Sequence, residues 1–292
     1  MKTKCNIYDV MVVLVCGIIL LVTIYPLWFI VIASISEPSL VSTGQVTLYP
    51  RQITWLGYEK VLAEHRIWRG YGNSIVYTAL YTALGLTLIL PAAFAFSSRP
   101  TMLGKPLTFL FMFTMFFGGG LIPTYLLISK LGMNNTLWAL VIPGSVSVYN
   151  MIVARTFFKT SIPQEIQESA TIDGCNDFMV FFMIVLPLSK AIVAVLALYY
   201  AVAMWNSYFG ALIYISSPEK YPLQLVLREI LFRSEQLSTV VDGDPVSMQE
   251  LYRTTELVKY VLMIVASVPM FIAYPFVQKF FVTGVMIGSV KG

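Results

Sequence analysis

Ser161-Ile-Pro-Gln-Glu-Ile-Gln-Glu-Ser-Ala-Thr-Ile-Asp-Gly174 is a polar, acidic stretch inside an apolar chain, followed by Cys175-Asn-Asp-Phe178 and a return to apolar sequence. Ser161 is placed to cap a helix whose third position is Gln164, with Pro163 tolerated in the first turn. Glu165 and Glu168 then lie toward the positive end of the helix dipole. Ile162, Ile166 and Ala170 share one face, and Gly174 supplies the left-handed residue that ends a helix, after about three turns. Asn176 or Asp177 caps a second helix that runs through Phe178, Phe181 and Phe182. A short helix, a glycine turn and re-entry into apolar sequence make the short helix project and present itself to a partner.

The surroundings of this stretch are those of a membrane protein. Of 292 residues 58% are apolar and 12% charged, with a mean hydropathy of +0.77, whereas a soluble domain carries about 25% charged residues. One histidine, His65, and three well-separated cysteines, Cys5, Cys16 and Cys175, argue against a multi-histidine metal site or a disulfide framework. The net charge of +4 is spread without a basic run, which excludes a nucleic-acid footprint.

Six segments supply the ~20 apolar residues that a helix needs to cross a bilayer. They lie near 10–34, 73–96, 107–129, 137–158, 183–206 and 257–281, so the expected fold is an all-α membrane protein of six transmembrane helices in one domain, 1–292. The first is too long for a secretory signal and has no small-residue cleavage pattern before Pro26, so it reads as a retained span. Lys2 and Lys4 in the tail, with Arg99 and Lys105 in the connection 97–106, put those parts in the cytoplasm. The C-terminus, with Lys279 and Lys291, returns to the same side, and the long connections 35–72 and 207–256 fall outside. The cytoplasmic loop 159–182 holds Glu165, Glu168, Asp173 and Asp177 against Lys159 alone, opposite to the usual cytoplasmic bias. Cys5 and Cys175 then face a reducing cytosol and Cys16 lies in lipid, so free thiols are expected.

At the acidic loop the chain resembles the membrane permeases of binding-protein-dependent ATP-binding-cassette importers. Their cytoplasmic pattern is Glu-Ala-Ala, three residues, Gly, nine residues, Ile, one residue, Leu-Pro. Here it stands as Glu168-Ser169-Ala170, Gly174, Ile184, Leu186 and Pro187, with Ser169 the one departure. Ala93-Phe-Ala-Phe-Ser-Ser-Arg99, Phe117-Gly-Gly-Gly-Leu-Ile-Pro-Thr-Tyr125, Trp205-Asn206 and the ending Phe281 to Gly292 are similar to the carbohydrate branch, the MalG-like and LplC-like permeases. The resemblance implies a type I importer permease in a bacterial cell membrane, whose short helix is a coupling helix docked on a separate ATPase. It implies a heterodimer with a second homologous permease, two ATPase subunits, and an external solute-binding protein facing the loop 207–256. ATP and magnesium are then bound by the ATPase subunits and no cofactor by this chain, which is not an enzyme. Consistent with that, Gly284-Val-Met-Ile-Gly-Ser-Val-Lys-Gly292 lacks the order and spacing of a phosphate-binding loop.

On this resemblance ATP-driven closure of the ATPase moves the coupling helix, and the join from Gly174 to Pro187 passes the displacement into the fifth span as a rigid lever. Glu168 and Asp173 contact the ATPase or hold the turn, against the plainer reading that they are solvated surface acids.

Polar stripes mark the candidate solute path. Asn73, Tyr77 and Tyr81 recur every four residues beside Ser74, Thr78 and Thr82, while Tyr199, Ala203 and Asn206 on the fifth span reach the same outer depth. Asn150 and Ser147 lie nearer the middle. Aromatic, amide and hydroxyl groups suit a sugar, since rings stack on its apolar faces and amides bond its hydroxyls. Interfacial tyrosines and hydroxyl or amide glue between helices are the competing use.

Lys190, one turn past Pro187, reads as snorkelling to the cytoplasmic headgroups. Gly118, Gly119 and Gly120 with Pro123 either hinge the third span or allow close packing. A secondary, ion-coupled carrier is the main alternative, and the lack of an intramembrane acid argues against it. A membrane-embedded enzyme lacks a catalytic cluster at one depth. A non-sugar solute is the alternative within the importer reading, whose closest resemblance is to permeases for oligosaccharides or uronate-containing plant-polymer fragments.

Overall fold

The computed structural model describes residues 7–98, 104–240, 255–275 and 278, and among them there is no strand. Lys2, Lys4, Cys5, Arg99, Lys279, Lys291 and the ending 281–292, which carried part of the topology and of the resemblance, lie outside the described residues.

In chain order the first helices are α1 (Ile7–Ser34), α2 (Pro38–Ser42), α3 (Leu56–Ala63), α4 (His65–Ser98), α5 (Gly104–Phe116) and α6 (Leu121–Lys130). Then come α7 (Trp138–Val141), α8 (Val148–Ser161), α9 (Gln164–Ile172) and α10 (Asp177–Met179), followed by a π-helical stretch, Val180–Val185. The series closes with α11 (Leu186–Leu188), α12 (Lys190–Trp205), α13 (Phe209–Tyr214), α14 (Leu223–Val240) and α15 (Thr255–Pro275).

Among the described residues three helices are long and apolar enough to cross a membrane: 25 residues at Val10–Ser34, 33 at His65–Ser97 and 21 at Thr255–Pro275. They fall on the first, second and sixth expected spans, with α4 starting well before Asn73.

The other three expected spans are interrupted, each by its own backbone chemistry. Pro106–Phe116 and Leu121–Lys130 meet at 106°, and Asp177–Leu188 and Lys190–Trp205 at 83°, so counting each bent pair as one span gives five. The stretch 137–158 holds the four-residue α7 and the 14-residue α8, with residues 142–147 outside any helix. In the third span Gly120 has φ +85°, a conformation open to glycine at little cost. The glycine run breaks the helix, and a Cβ on Gly118 would meet nothing within 4 Å in this chain.

The described residues fall into two compact units, those within 1–67 and 227–268 and those within 68–226 and 269–292. In the first, α1 exposes apolar side chains along most of its length, as a lipid-facing span does. Its end is packed differently: Ile32 and Ala33 join Val41 and Val46, with Phe29 and Tyr260 against them. The Ser36 hydroxyl donates to the Ile32 carbonyl at 2.6 Å and accepts from the Arg51 amide at 3.2 Å, tying the chain reversal after α1.

In the second unit one core runs through α4, α8, α9, the π-helical stretch and α12. Ile89, Ala93 and Phe94 of α4 meet Met151 and Phe158 of α8, Phe181 and Val185, and Leu196 and Tyr200 of α12. Gly85 sets the approach of α4 to α12, because a Cβ there would come within 2.6 Å of the Tyr200 ring. Gly72 on the same helix faces open space, with nothing within 4 Å of an added Cβ. Gly85→Ala is therefore expected to destabilise the purified protein by about 1–3 kcal/mol through overpacking, and Gly72→Ala to leave it unchanged or slightly more stable. Thermal unfolding of both variants in detergent measures the difference.

Candidate functional site

The acidic loop is shaped by its proline and its glycine. The residue before a proline is driven out of helical conformation, and Ile162 accordingly sits at φ −110° and ψ 110°. Ser161 therefore closes α8, and α9 starts at Gln164 with no side-chain cap, which corrects the expectation that Ser161 caps the short helix. Nine residues on, the helix stops as expected. Gly174 takes φ +86°, its amide donates to the Thr171 carbonyl at 3.1 Å, and the Cys175 amide donates to the Ala170 carbonyl at 2.9 Å. These are the paired bonds of a glycine-terminated helix. The Asn176 Oδ1 accepts from the Met179 amide at 2.9 Å and caps α10.

Burial divides the eight residues expected to couple this loop to a partner. Ala170 is 6% exposed and enters the core, where Phe181 and Val185 also lie, and Ile184 and Leu186 pack half-buried against it. Glu168, Ser169, Asp173, Gly174 and Pro187 are exposed. Glu168 accepts from Gln164 Nε2 at 3.0 Å, and the Ser169 hydroxyl donates back to the Glu165 carbonyl at 2.8 Å. Thus Ala170 is the small residue that allows close packing, while Ser169 is exposed and its hydroxyl bonds within its own helix. Of the apolar face expected at Ile162, Ile166 and Ala170, Ile166 is 39% exposed, and Ile172 stands out at 86%. A cleft of about 600 Å³ opens between α4, α9 and α10, with Phe94 and Phe181 in its wall and Glu168 and Asp177 beside them.

The second set of expected residues is spent largely on backbone. The Asn73 amide donates to the Glu219 and Tyr221 carbonyls at 2.8 and 3.0 Å, and the Tyr77 hydroxyl to Lys220 at 2.9 Å. Ser74 accepts from the Leu223 amide at 2.8 Å, so one face of α4 holds the segment 219–223. One turn on, the Tyr81 hydroxyl donates to the Gly144 carbonyl at 2.8 Å. Asn150 is buried near the start of α8, Tyr199 is partly exposed, and the Asn206 amide ends α12 by donating to the Val202 carbonyl at 2.9 Å. The structure thus brings Asn73 and Tyr77 to one loop and Tyr81 to the break in the fourth span, while Asn206 bonds within α12.

Three residues with structural weight were not singled out from sequence. Tyr200, beside Tyr199, is 1% exposed and bonds the backbone of residues 145 and 147. Asn135 receives the Ser217 amide on Oδ1 at 3.1 Å, and Lys220 Nζ donates to the Asn135 carbonyl at 2.7 Å. The available signal was Gly85, one turn beyond Tyr81 on the same face of α4, marking the close approach of a large ring. Among the described residues no cluster of three or more His, Cys, Asp or Glu could hold a metal ion.

Residues 67–287 match the binding-protein-dependent transport system inner membrane component family. The chain belongs to this family. It is 37% identical over 287 residues to Protein LplC of Bacillus subtilis, covering 98% of this chain and 96% of that one. It is 35% identical over 276 residues to the polygalacturonan/rhamnogalacturonan transport system permease protein YtcP of the same organism, covering 93% and 94%. Its fold superposes with a TM-score of 0.82 and 29% identity on a chain from the crystal structure of a bacterial ABC transporter involved in the import of the acidic polysaccharide alginate. That match covers 96% of this chain and 99% of the other. The protein is thus an all-α membrane protein with the fold of an ABC importer permease.

The two small residues of the motif should respond differently. Ser169→Ala is expected to leave stability within about 0.5 kcal/mol and transport intact, while Ala170→Leu should cost about 1–3 kcal/mol by overpacking the core. Unfolding curves and solute uptake for the two variants measure this.

Proposed function

We propose that this chain is one half of the translocation path of an ATP-driven importer for acidic oligosaccharides, and that α9 is its coupling helix. The observation that carries the proposal is the build of α9: a nine-residue helix with Glu168, Asp173 and Ile172 facing outward, stopped by Gly174, and rooted through Ala170 in the core that contains α12. A helix exposed on one side and keyed into the transmembrane core on the other is suited to receive force from a docked protein. Family membership favours ATP-driven import over an ion-coupled carrier. The names of the relatives favour a solute rich in uronate: one is a polygalacturonan/rhamnogalacturonan permease and the structural neighbour imports alginate.

In this reading the chain pairs with a second, homologous permease, docks two ATPase subunits that bind ATP and magnesium, and receives solute from an external binding protein. It catalyses no reaction itself. The chain sits in the bacterial cell membrane with both termini in the cytoplasm. Asn73, Tyr77, Tyr81, Asn150, Tyr199 and Asn206 border the path. Tyr199 offers the freest ring, at 41% exposed, while Asn73, Tyr77 and Tyr81, whose donors are engaged, shape its wall.

The test uses the assembled importer in proteoliposomes. Glu168→Gln combined with Gly174→Ala is expected to abolish ATP-dependent oligogalacturonate uptake and uncouple ATP hydrolysis, with the protein still in the membrane. Wild-type uptake by that variant would refute the assignment of α9, and uptake that persists without ATP but collapses with an uncoupler would refute the importer reading.

A further inference from the structure

We propose that Tyr200 is a positioning residue for transport: its hydroxyl fastens the non-helical segment 142–147 to the core that α9 enters, so that this segment moves when α9 is displaced. The proposal rests on the importer reading above for the source of the displacement, and on geometry for its route.

Segment 142–147 interrupts apolar sequence between α7 and α8. Non-helical backbone at membrane depth persists where protein covers it and satisfies its polar groups. Here Pro143 contributes no amide, and Gly144 takes φ +80°. The freed groups are met by two tyrosines from two other helices. Tyr81 of α4 donates to the Gly144 carbonyl at 2.8 Å, and Tyr200 of α12 donates to the Ser145 carbonyl at 2.8 Å while accepting from the Ser147 amide at 3.3 Å. The two rings meet edge to face with centroids 5.5 Å apart, and Gly85 leaves the space that the Tyr200 ring fills. Two other side chains of the segment, Ile142 and Val146, are 48% and 49% exposed.

Beyond the join of Gly174 to Pro187, expected to act as a rigid lever, the fifth span turns by 83° at Ser189. Force entering at α9 therefore passes through side-chain packing across the bend. Ala170, Phe181, Val185, Ile192, Leu196 and Tyr200 belong to one buried cluster, which supplies that packing. Tyr200 ends it with a polar group that grips backbone from two sides. Closely packed interiors shift as units, so the hydroxyl carries the segment along.

Tyr200→Phe keeps the ring and removes the grip. The test is made in the assembled importer, with Val146→Cys as a labelling site in a chain whose Cys5, Cys16 and Cys175 are serine. Reaction of a soluble maleimide with residue 146 is compared with and without ATP and vanadate, alongside solute moved per ATP hydrolysed. The expected result is a nucleotide-dependent change in labelling that Tyr200→Phe removes, with transport per ATP falling about fivefold or more, the scale of lost bonds to buried backbone, while hydrolysis and complex yield stay at wild-type level. A Tyr81→Phe, Tyr200→Phe pair should lose less than the product of the single losses, since both hold one element. Labelling that ignores nucleotide in the parent, or that responds equally in Tyr200→Phe, overturns the proposal, as does a parallel loss of hydrolysis, transport and yield. If the parent shows the labelling change but moves no oligogalacturonate, the solute assignment fails and the role of Tyr200 stands.

Discussion

A peptide group that leaves its helix inside apolar surroundings must find another partner, because an unmatched donor or acceptor there costs roughly 2–7 kcal/mol. Among the described residues three of the apolar segments leave the helix, at residues 117–120, 142–147 and 189, and at the second of these two of the intramembrane tyrosines answer that need. At 142–147 two tyrosine hydroxyls arrive from α4 and α12. At 219–223 Asn73, Ser74 and Tyr77 perform the same service along one face of α4. A polar stripe on a transmembrane helix is therefore no direct sign of a solute: here Asn73, Ser74, Tyr77 and Tyr81 bond the backbone of their neighbours.

The same constraint shapes how motion can spread. A straight helix from the coupling loop to the outer end of the fifth span would transmit displacement along its axis. The turn at Ser189 interrupts that axis, while α9, the π-helical stretch, α8 and α12 share one buried core. Irregular helical turns of this kind recur at functional sites because they re-aim side chains while keeping the backbone bonded.

Family membership and packing agree at the loop motif. The position that departs from the family pattern, Ser169, is turned outward and bonded to its own helix, so the substitution leaves the packed face unchanged. The neighbouring alanine is the one whose size matters. Tolerance at one motif position and strictness at the next follow from which way a nine-residue helix faces.

What sequence alone determined was whatever acts over a few residues or sums over the chain. Apolar length and low charge identify the membrane class, Gly174 stops α9, Asn176 caps α10, and the spacing from Glu168 to Pro187 identifies the family. The misplaced Ser161 cap was also a local matter, decided by Pro163 acting on Ile162. Tertiary structure decided the rest: the bends of 106° and 83°, the role of Tyr200, and which polar groups remain free for a solute. The bonds from Tyr200 to the backbone of Ser147 and Ser145 span 53 and 55 residues, and that from Tyr81 to Gly144 spans 63. A local signal marks where a helix can break, but the partner that makes the break tolerable comes from a distant part of the chain, so its identity exists only once the helices are packed.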